Sequence, residues 1–222
     1  MRSSCALATF AALMVLSGAC SDLSTPADLD REQILAVRAT PRVLLPGGSV
    51  VLDTLVSGPN GPLVGIESYQ LSIDVPGVSV ATTPSGQTLL SCVDGLVVEQ
   101  AIELDLSIEL PDGQVLLAQK SVAVDNRDVD NPHIGALLVN GAATEPGQVV
   151  RESLGDIAIA VESESATSVA WYTSIGEIRY YRSAETTIEL AEEDVGEGWV
   201  AVVVRDDEGG VSWQSFQLEA GL

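Results

Sequence analysis

Histidine, cysteine, aromatic and basic side chains are all scarce in this chain of 222 residues, and each scarcity excludes something. One histidine and three cysteines leave little for a zinc site or an imidazole base. Ten Lys and Arg stand against 32 Asp and Glu, a formal net charge of −22. With no basic patch to displace counterions, nucleic acid is excluded as a partner. Aromatics are only 4% of residues, short of the platforms that sugar-cleaving sites use. The chain has no Gly-x-Ser-x-Gly elbow, no His-Glu-x-x-His, no phosphate-binding loop and no Gly-x-Gly-x-x-Gly before a helix. What is present is 46% hydrophobic residues in a varied sequence, the composition of a folded chain with its own core rather than a disordered one.

The N-terminus reads as an export signal. Arg2 supplies a short positive region, Cys5 to Leu16 is an uncharged, mostly apolar run, and Ser17, Gly18 and Ala19 precede Cys20. The run is too short to span a bilayer, and no later stretch approaches that length. Leu16-Ser17-Gly18-Ala19-Cys20 resembles the lipobox of bacterial lipoproteins, with Ser17 where leucine is usual. The resemblance implies cleavage after residue 19, lipidation of Cys20 and anchorage to a membrane by its acyl chains. Ser21 rather than aspartate at the next position implies sorting to the outer membrane. Cys5 would leave with the signal, so Cys92, beside Leu89 and Leu90, is expected to be a buried small hydrophobe without a disulfide partner.

Residues 20–33 are polar and Pro-containing and read as a tether. Beyond them no segment sustains a helical period. Strand-like runs recur between Gly, Pro, Asn and Asp turns, which predicts an all-β chain of two consecutive antiparallel sandwiches. Ile102, Leu104, Leu106, Ile108 and Leu110 alternate with Glu103, Asp105, Ser107 and Glu109; after Pro111-Asp112-Gly113, Val115 to Val124 returns. Such alternation sets one face on a core and one in water. Further strands are expected at 34–40, 49–57, 66–75, 134–139, 156–162, 168–173, 177–182, 186–190, 199–205 and 211–218. The domain expectation is a signal at 1–19, a tether at 20–33, sandwiches at 34–125 and 133–222, and an acidic linker at 126–132.

The stretch Glu193-Asp194-Val195-Gly196-Glu197-Gly198-Trp199-Val200-Ala201 resembles the approach to the sixth strand of an immunoglobulin-like (Ig-like) domain, with Trp199 for its tyrosine and Ala201 for its cysteine. Trp171 is then the candidate for the buried tryptophan of the third strand. The missing cysteine leaves disulfide-free relatives of the fibronectin III or PKD type open beside the antibody type. With the lipobox, the Asn131-Pro132 restart and Val203-Val204-Arg205-Asp206 before Gly209-Gly210, the chain is similar to bacterial envelope lipoproteins built from tandem Ig-like modules. That resemblance implies no activity and no site.

The candidates for chemistry are few. Asp125, Asn126, Asp128, Asp130 and Asn131 place five oxygen-bearing side chains within seven residues, and calcium takes six to eight oxygens, often from loops. The run resembles the inter-domain linker of cadherins, where calcium stiffens the joint; a plain linker whose Asp and Asn residues end strands is the simpler reading. His133 is the one place where a Ser-His-Asp triad could form. A carboxylate pair for glycoside hydrolysis cannot be singled out among 32 acids. Glu192-Glu193-Asp194 with Glu197, and Asp206-Asp207-Glu208, are expected to solvate loop ends. Tyr172, Tyr180 and Tyr181 are candidates for a recognition patch. The expectation is thus a non-catalytic, lipid-anchored envelope protein, binding an unidentified protein or glycan or serving a structural role. The alternatives are a calcium-stiffened, cadherin-like adhesion or spacer protein and, third, a carboxylate-based hydrolase.

Overall fold

The computed structural model describes residues 27–63, 69–73, 75–83, 87–95, 101–127 and 129–221. Cys20, Asp128 and the expected signal segment lie outside these residues. The first nine strands are β1 (Gln33–Thr40), β2 (Val43–Leu44), β3 (Ser49–Gly58), β4 (Gly61–Pro62), β5 (Tyr69–Ser72), β6 (Val78–Thr82), β7 (Thr88–Cys92), β8 (Ile102–Glu109) and β9 (Val115–Val124). They form two sheets, β1-β3-β7-β6 with β4 beside β3, and β2-β9-β8-β5. The second nine are β10 (Ala136–Val139), β11 (Ala142–Ala143), β12 (Val149–Glu152), β13 (Gly155–Glu162), β14 (Ser168–Thr173), β15 (Glu177–Ile178), β16 (Glu185–Leu190), β17 (Gly196–Arg205) and β18 (Val211–Ala220). They repeat the plan as β11-β10-β13-β16-β15 over β12-β18-β17-β14.

In each half the first, second, fifth and fourth major strands make one sheet, and the third, sixth and seventh make the other. That is the Ig-like order. A short strand also pairs parallel to the last one, Val43–Leu44 on Ala123–Val124 and Val149–Glu152 on Gln217–Ala220. Among the described residues every other strand pairing is antiparallel, apart from one isolated parallel bridge between Asp28 and Thr173. The chain is therefore all-β, two consecutive Ig-like sandwiches.

Alternation sets the register. Opposite residues on paired strands share a face, so Ile102, Leu104, Leu106 and Ile108 meet Val122, Lys120, Ala118 and Leu116 on the inner face. The first core gathers Val37, Ala39, Leu44, Val50, Leu52, Leu90, Cys92, Ile102, Leu104 and Val122. Cys92 is buried, unpaired and donates from Sγ to the Leu45 carbonyl at 3.1 Å. The turn after β8 closes with Gly113 N–H on the Leu110 carbonyl at 2.9 Å, and Gly113 holds φ of 86°, a conformation that suits glycine. In the second core Trp171 is fully buried on β14 and its indole N–H donates to the Ser183 carbonyl at 2.8 Å.

Several expectations shift. Strands β2, β4, β6, β7, β11 and β12 are not among the expected strands; β6 and β12 lack a clean apolar alternation, and β6 is mostly exposed. The run expected at 177–182 is a strand only at Glu177–Ile178, and Tyr180 and Tyr181 lie in a turn. Ala27 to Leu29, within the stretch read as tether, are held against β14. Thr173 N–H donates to the Ala27 carbonyl at 2.8 Å and Leu29 N–H to the Thr173 carbonyl at 2.7 Å. Ala27 and Leu29 are both buried: Ala27 packs into the core of the second sandwich, and Leu29 fills the seam between the sandwiches.

Candidate functional site

A group of polar side chains converges where the two sandwiches meet. The tip of the β17–β18 hairpin, residues 206–210, projects toward the first sandwich. Asp206 shapes the tip itself: its Oδ1 accepts the N–H groups of Glu208 at 2.9 Å and Gly210 at 2.8 Å. Its Oδ2 takes the guanidinium of Arg42, which also reaches Glu208. Arg42 and Asp206 are about nine-tenths buried, whereas Glu208 is largely in solvent. Lys120, on the inner face of β9, donates its ammonium to the Gly209 carbonyl at 2.6 Å. Burial is the main force on that ammonium and lowers its pKa from the ordinary 10.5, with Asp206 opposing the shift.

The second set of bonds runs through the linker. The Asn131 side chain donates to the Ala39 carbonyl at 2.7 Å in the first sandwich and accepts from Val211 N–H at 2.9 Å in the second. Arg205 donates to the Leu35 carbonyl at 2.8 Å. Arg38 pairs with Asp53 at 3.1 Å and lies 4.2 Å from the ring centroid of Trp213 on β18, a cation–π contact across the joint. Beneath these polar bonds is an apolar seam: Leu29, Leu35, Ala36 and Leu55 meet Ala201, Val203 and Val211. Gly61 lies so close to the Trp199 indole that a Cβ there would overlap the ring.

The residues singled out by sequence divide. Asp130, Asn131 and His133 line one cleft at the joint, about 650 Å³ in volume, together with Arg38, Asp53 and Trp213. Asp125 and Asn126 do not line it. Asp125 instead takes Arg127 at 2.7 Å and the Asn126 N–H at 2.6 Å. The hydrogen bond from Arg127, then that from Asn126, holds its carboxyl below the ordinary 3.8. Both ends of the Asn131 amide are already bonded across the joint. Among the described residues no three His, Cys, Asp or Glu side chains converge as a metal site. His133 and Ser212 share the cleft, yet no hydrogen bond joins the imidazole to Ser212 or Asp130; the His133 carbonyl accepts from Ser163 at 2.7 Å.

The tyrosines do not form one patch. Tyr172 packs on the seam, Tyr181 on the second core, and Tyr180 is 71% exposed beside Ala158, Ala160 and Thr187. Of the acidic runs, Asp206 and Glu208 do more than solvate, because Arg42 binds them. Sequence reading missed Leu29, Arg42, Lys120 and Trp213. Only Lys120 left a signal, a cation at an inward position of an otherwise apolar alternation.

No known protein-family profile matches the chain, and no curated protein matches it. Among solved structures, it is similar to the N-terminal Ig1-2 module of the Drosophila receptor protein tyrosine phosphatase DLAR, at 13% identity over 86% of this chain and 99% of that one, TM-score 0.33. The protocadherin GammaB4 extracellular domain aligns at 16% identity over 87% of this chain and 34% of that one, TM-score 0.29. The endo-fucoidan hydrolase MfFcnA9, from glycoside hydrolase family 107, aligns at 15% identity over 80% and 32%, TM-score 0.29. At such scores these likenesses say nothing of activity. Strand order and register establish the fold by themselves.

Proposed function

We propose that the protein is a non-catalytic, lipid-anchored module of the cell envelope, whose two sandwiches act as one rigid body in a binding or structural role. The observation that carries this reading is the joint. Its buried and half-buried polar groups, Arg42, Lys120, Asn131, Arg205 and Asp206, bond to one another or to backbone across the domain boundary. Groups spent on holding two domains at a fixed angle are not free for proton transfer or substrate. An apolar seam under a polar rim is the make-up of a lasting interface. Anchorage rests on the Leu16–Cys20 segment, and the outer membrane is the expected destination.

Two measurements test the two parts separately. Palmitate labelling and membrane fractionation should show the wild type labelled and membrane-bound, and Cys20→Ala unlabelled and released; label in neither overturns anchorage. Small-angle scattering of the released Cys20→Ala protein should fit one fixed arrangement of the sandwiches. A profile that demands a spread of inter-domain angles overturns the rigid body.

A further inference from the structure

We infer that the outer face of the β8–β9 hairpin is a docking surface for a basic, apolar-bearing segment of a partner protein. This deepens the binding reading above and rests on it. Leu117 is 77% exposed and Val115 53% exposed, side by side on the outer face of β9. Across the register, Leu117 faces Ser107 and Val115 faces Glu109, while Gln119 faces Asp105 and Ser121 faces Glu103. A strip of two bare aliphatic side chains thus lies along a row of exposed carboxylates. Asp105 accepts an amide N–H from Gln119 at 2.8 Å. Among the described residues, no cationic side chain pairs with Glu103, Asp105 or Glu109.

Among the described residues, the cations that are paired with a carboxylate or committed to the joint all act elsewhere. Arg38, Arg42, Lys120 and Arg205 are committed to the joint. Arg127 holds Asp125, Arg151 holds Glu219, and Arg179 holds Asp156 and Glu189. Lys120, the one basic residue of the hairpin, points inward to the second sandwich. The hairpin's outer face therefore carries one sign of charge around an apolar strip. Exposed apolar side chains rimmed by like charge fit a partner that brings the opposite charge with its own apolar groups. A second copy of this chain docking through the same face is disfavoured, because the same carboxylates would oppose each other.

The probe is an eight-residue peptide of alternating lysine and valine, titrated into the released Cys20→Ala protein at low and at physiological salt, with binding mapped by backbone amide NMR shifts. The expected result is shifts concentrated on residues 103–109 and 115–121, with affinity that falls as salt rises. Leu117→Ser should weaken binding at least threefold. The triple change Glu103→Gln, Asp105→Asn, Glu109→Gln should weaken it about tenfold and flatten the salt dependence. The same charge removed from the second sandwich, by Glu192→Gln, Glu193→Gln and Asp207→Asn, should leave it within twofold. A lysine–serine peptide should bind more weakly than lysine–valine. No binding, equal binding of the two peptides, or shifts spread over the second sandwich's acidic loops each overturn the docking surface. None of those outcomes alters the scattering profile, so failure of the surface and failure of the rigid body are read separately.

Discussion

Replacing Leu29 by alanine should destabilise the whole two-domain body, although Leu29 precedes every strand. The side chain is 1% exposed and sits in the seam with Leu35, Ala36 and Leu55 on one side and Ala201, Val203 and Val211 on the other. Leucine to alanine removes three carbons, about 0.8 kcal/mol each of transfer free energy, or about 2.4 kcal/mol in all. A seam between two fixed sheets cannot collapse fully, so a cavity cost is added, within the range of about 2–5 kcal/mol for such changes. A total of about 3 kcal/mol follows. With a urea slope of about 2 kcal/mol per molar, the midpoint should fall by about 1.5 M. For a body of this size the same loss lowers Tm by about 6–12 °C.

The assay is urea unfolding followed by tryptophan fluorescence and by circular dichroism. All three tryptophans, Trp171, Trp199 and Trp213, belong to the second sandwich. Coincident shifts in both signals would show that the seam couples the domains. Asp30→Ala, one residue away and exposed, is the control and should change stability by less than about 0.5 kcal/mol. If Leu29→Ala matched that control, Ala27–Leu29 would be tether rather than part of the fold, and the reasoning would be refuted.

Arg42→Ala should cost about 3 kcal/mol and broaden the inter-domain angles seen by scattering, because it leaves Asp206 buried without its cation; an unchanged scattering profile with an unchanged melt would count against the joint. Lys120 gives a pH test. Burial lowers its folded pKa, so between that value and the ordinary 10.5 the unfolded chain binds more protons than the folded one, and stability contributed at this site rises with pH. The stability of wild type minus that of Lys120→Met should therefore increase from neutral pH toward pH 10, and a flat difference would refute the buried ammonium. Gly61→Ala should lower Tm measurably, since Gly61 holds φ of 93° and its added methyl meets the Trp199 indole; a calorimetric scan checks it. Native Cys92 should react with a thiol reagent only as fast as the protein unfolds, being buried under the Leu45 carbonyl.

What the sequence by itself determined is whatever depends on local order. Alternation along 102–110 and 115–124 fixed both strands and their inward faces, because a period of two admits one burial pattern. Pro111-Asp112-Gly113 and Asp206 to Gly210 marked hairpins through residues that accept turn geometry, and Trp171 stood out as a core tryptophan. Residues 78–82 and 149–152 carry no such period, and sequence reading passes over them; β12 is held at the rim by parallel pairing to the last strand. The pairings across the joint could not be read, although Lys120 left a signal as a cation at an inward position. Arg42 and Asp206 are 164 positions apart, and nothing in either neighbourhood signals the other. The acidic linker looked like a candidate metal site because its residue types suit a cation. Only the tertiary structure decided that Asn131 is a bridge between two backbones and that Asp125 turns to Arg127. Pairings of this kind arise when two finished domains bury polar groups against each other, and each buried group then takes whichever partner the docking brings within reach.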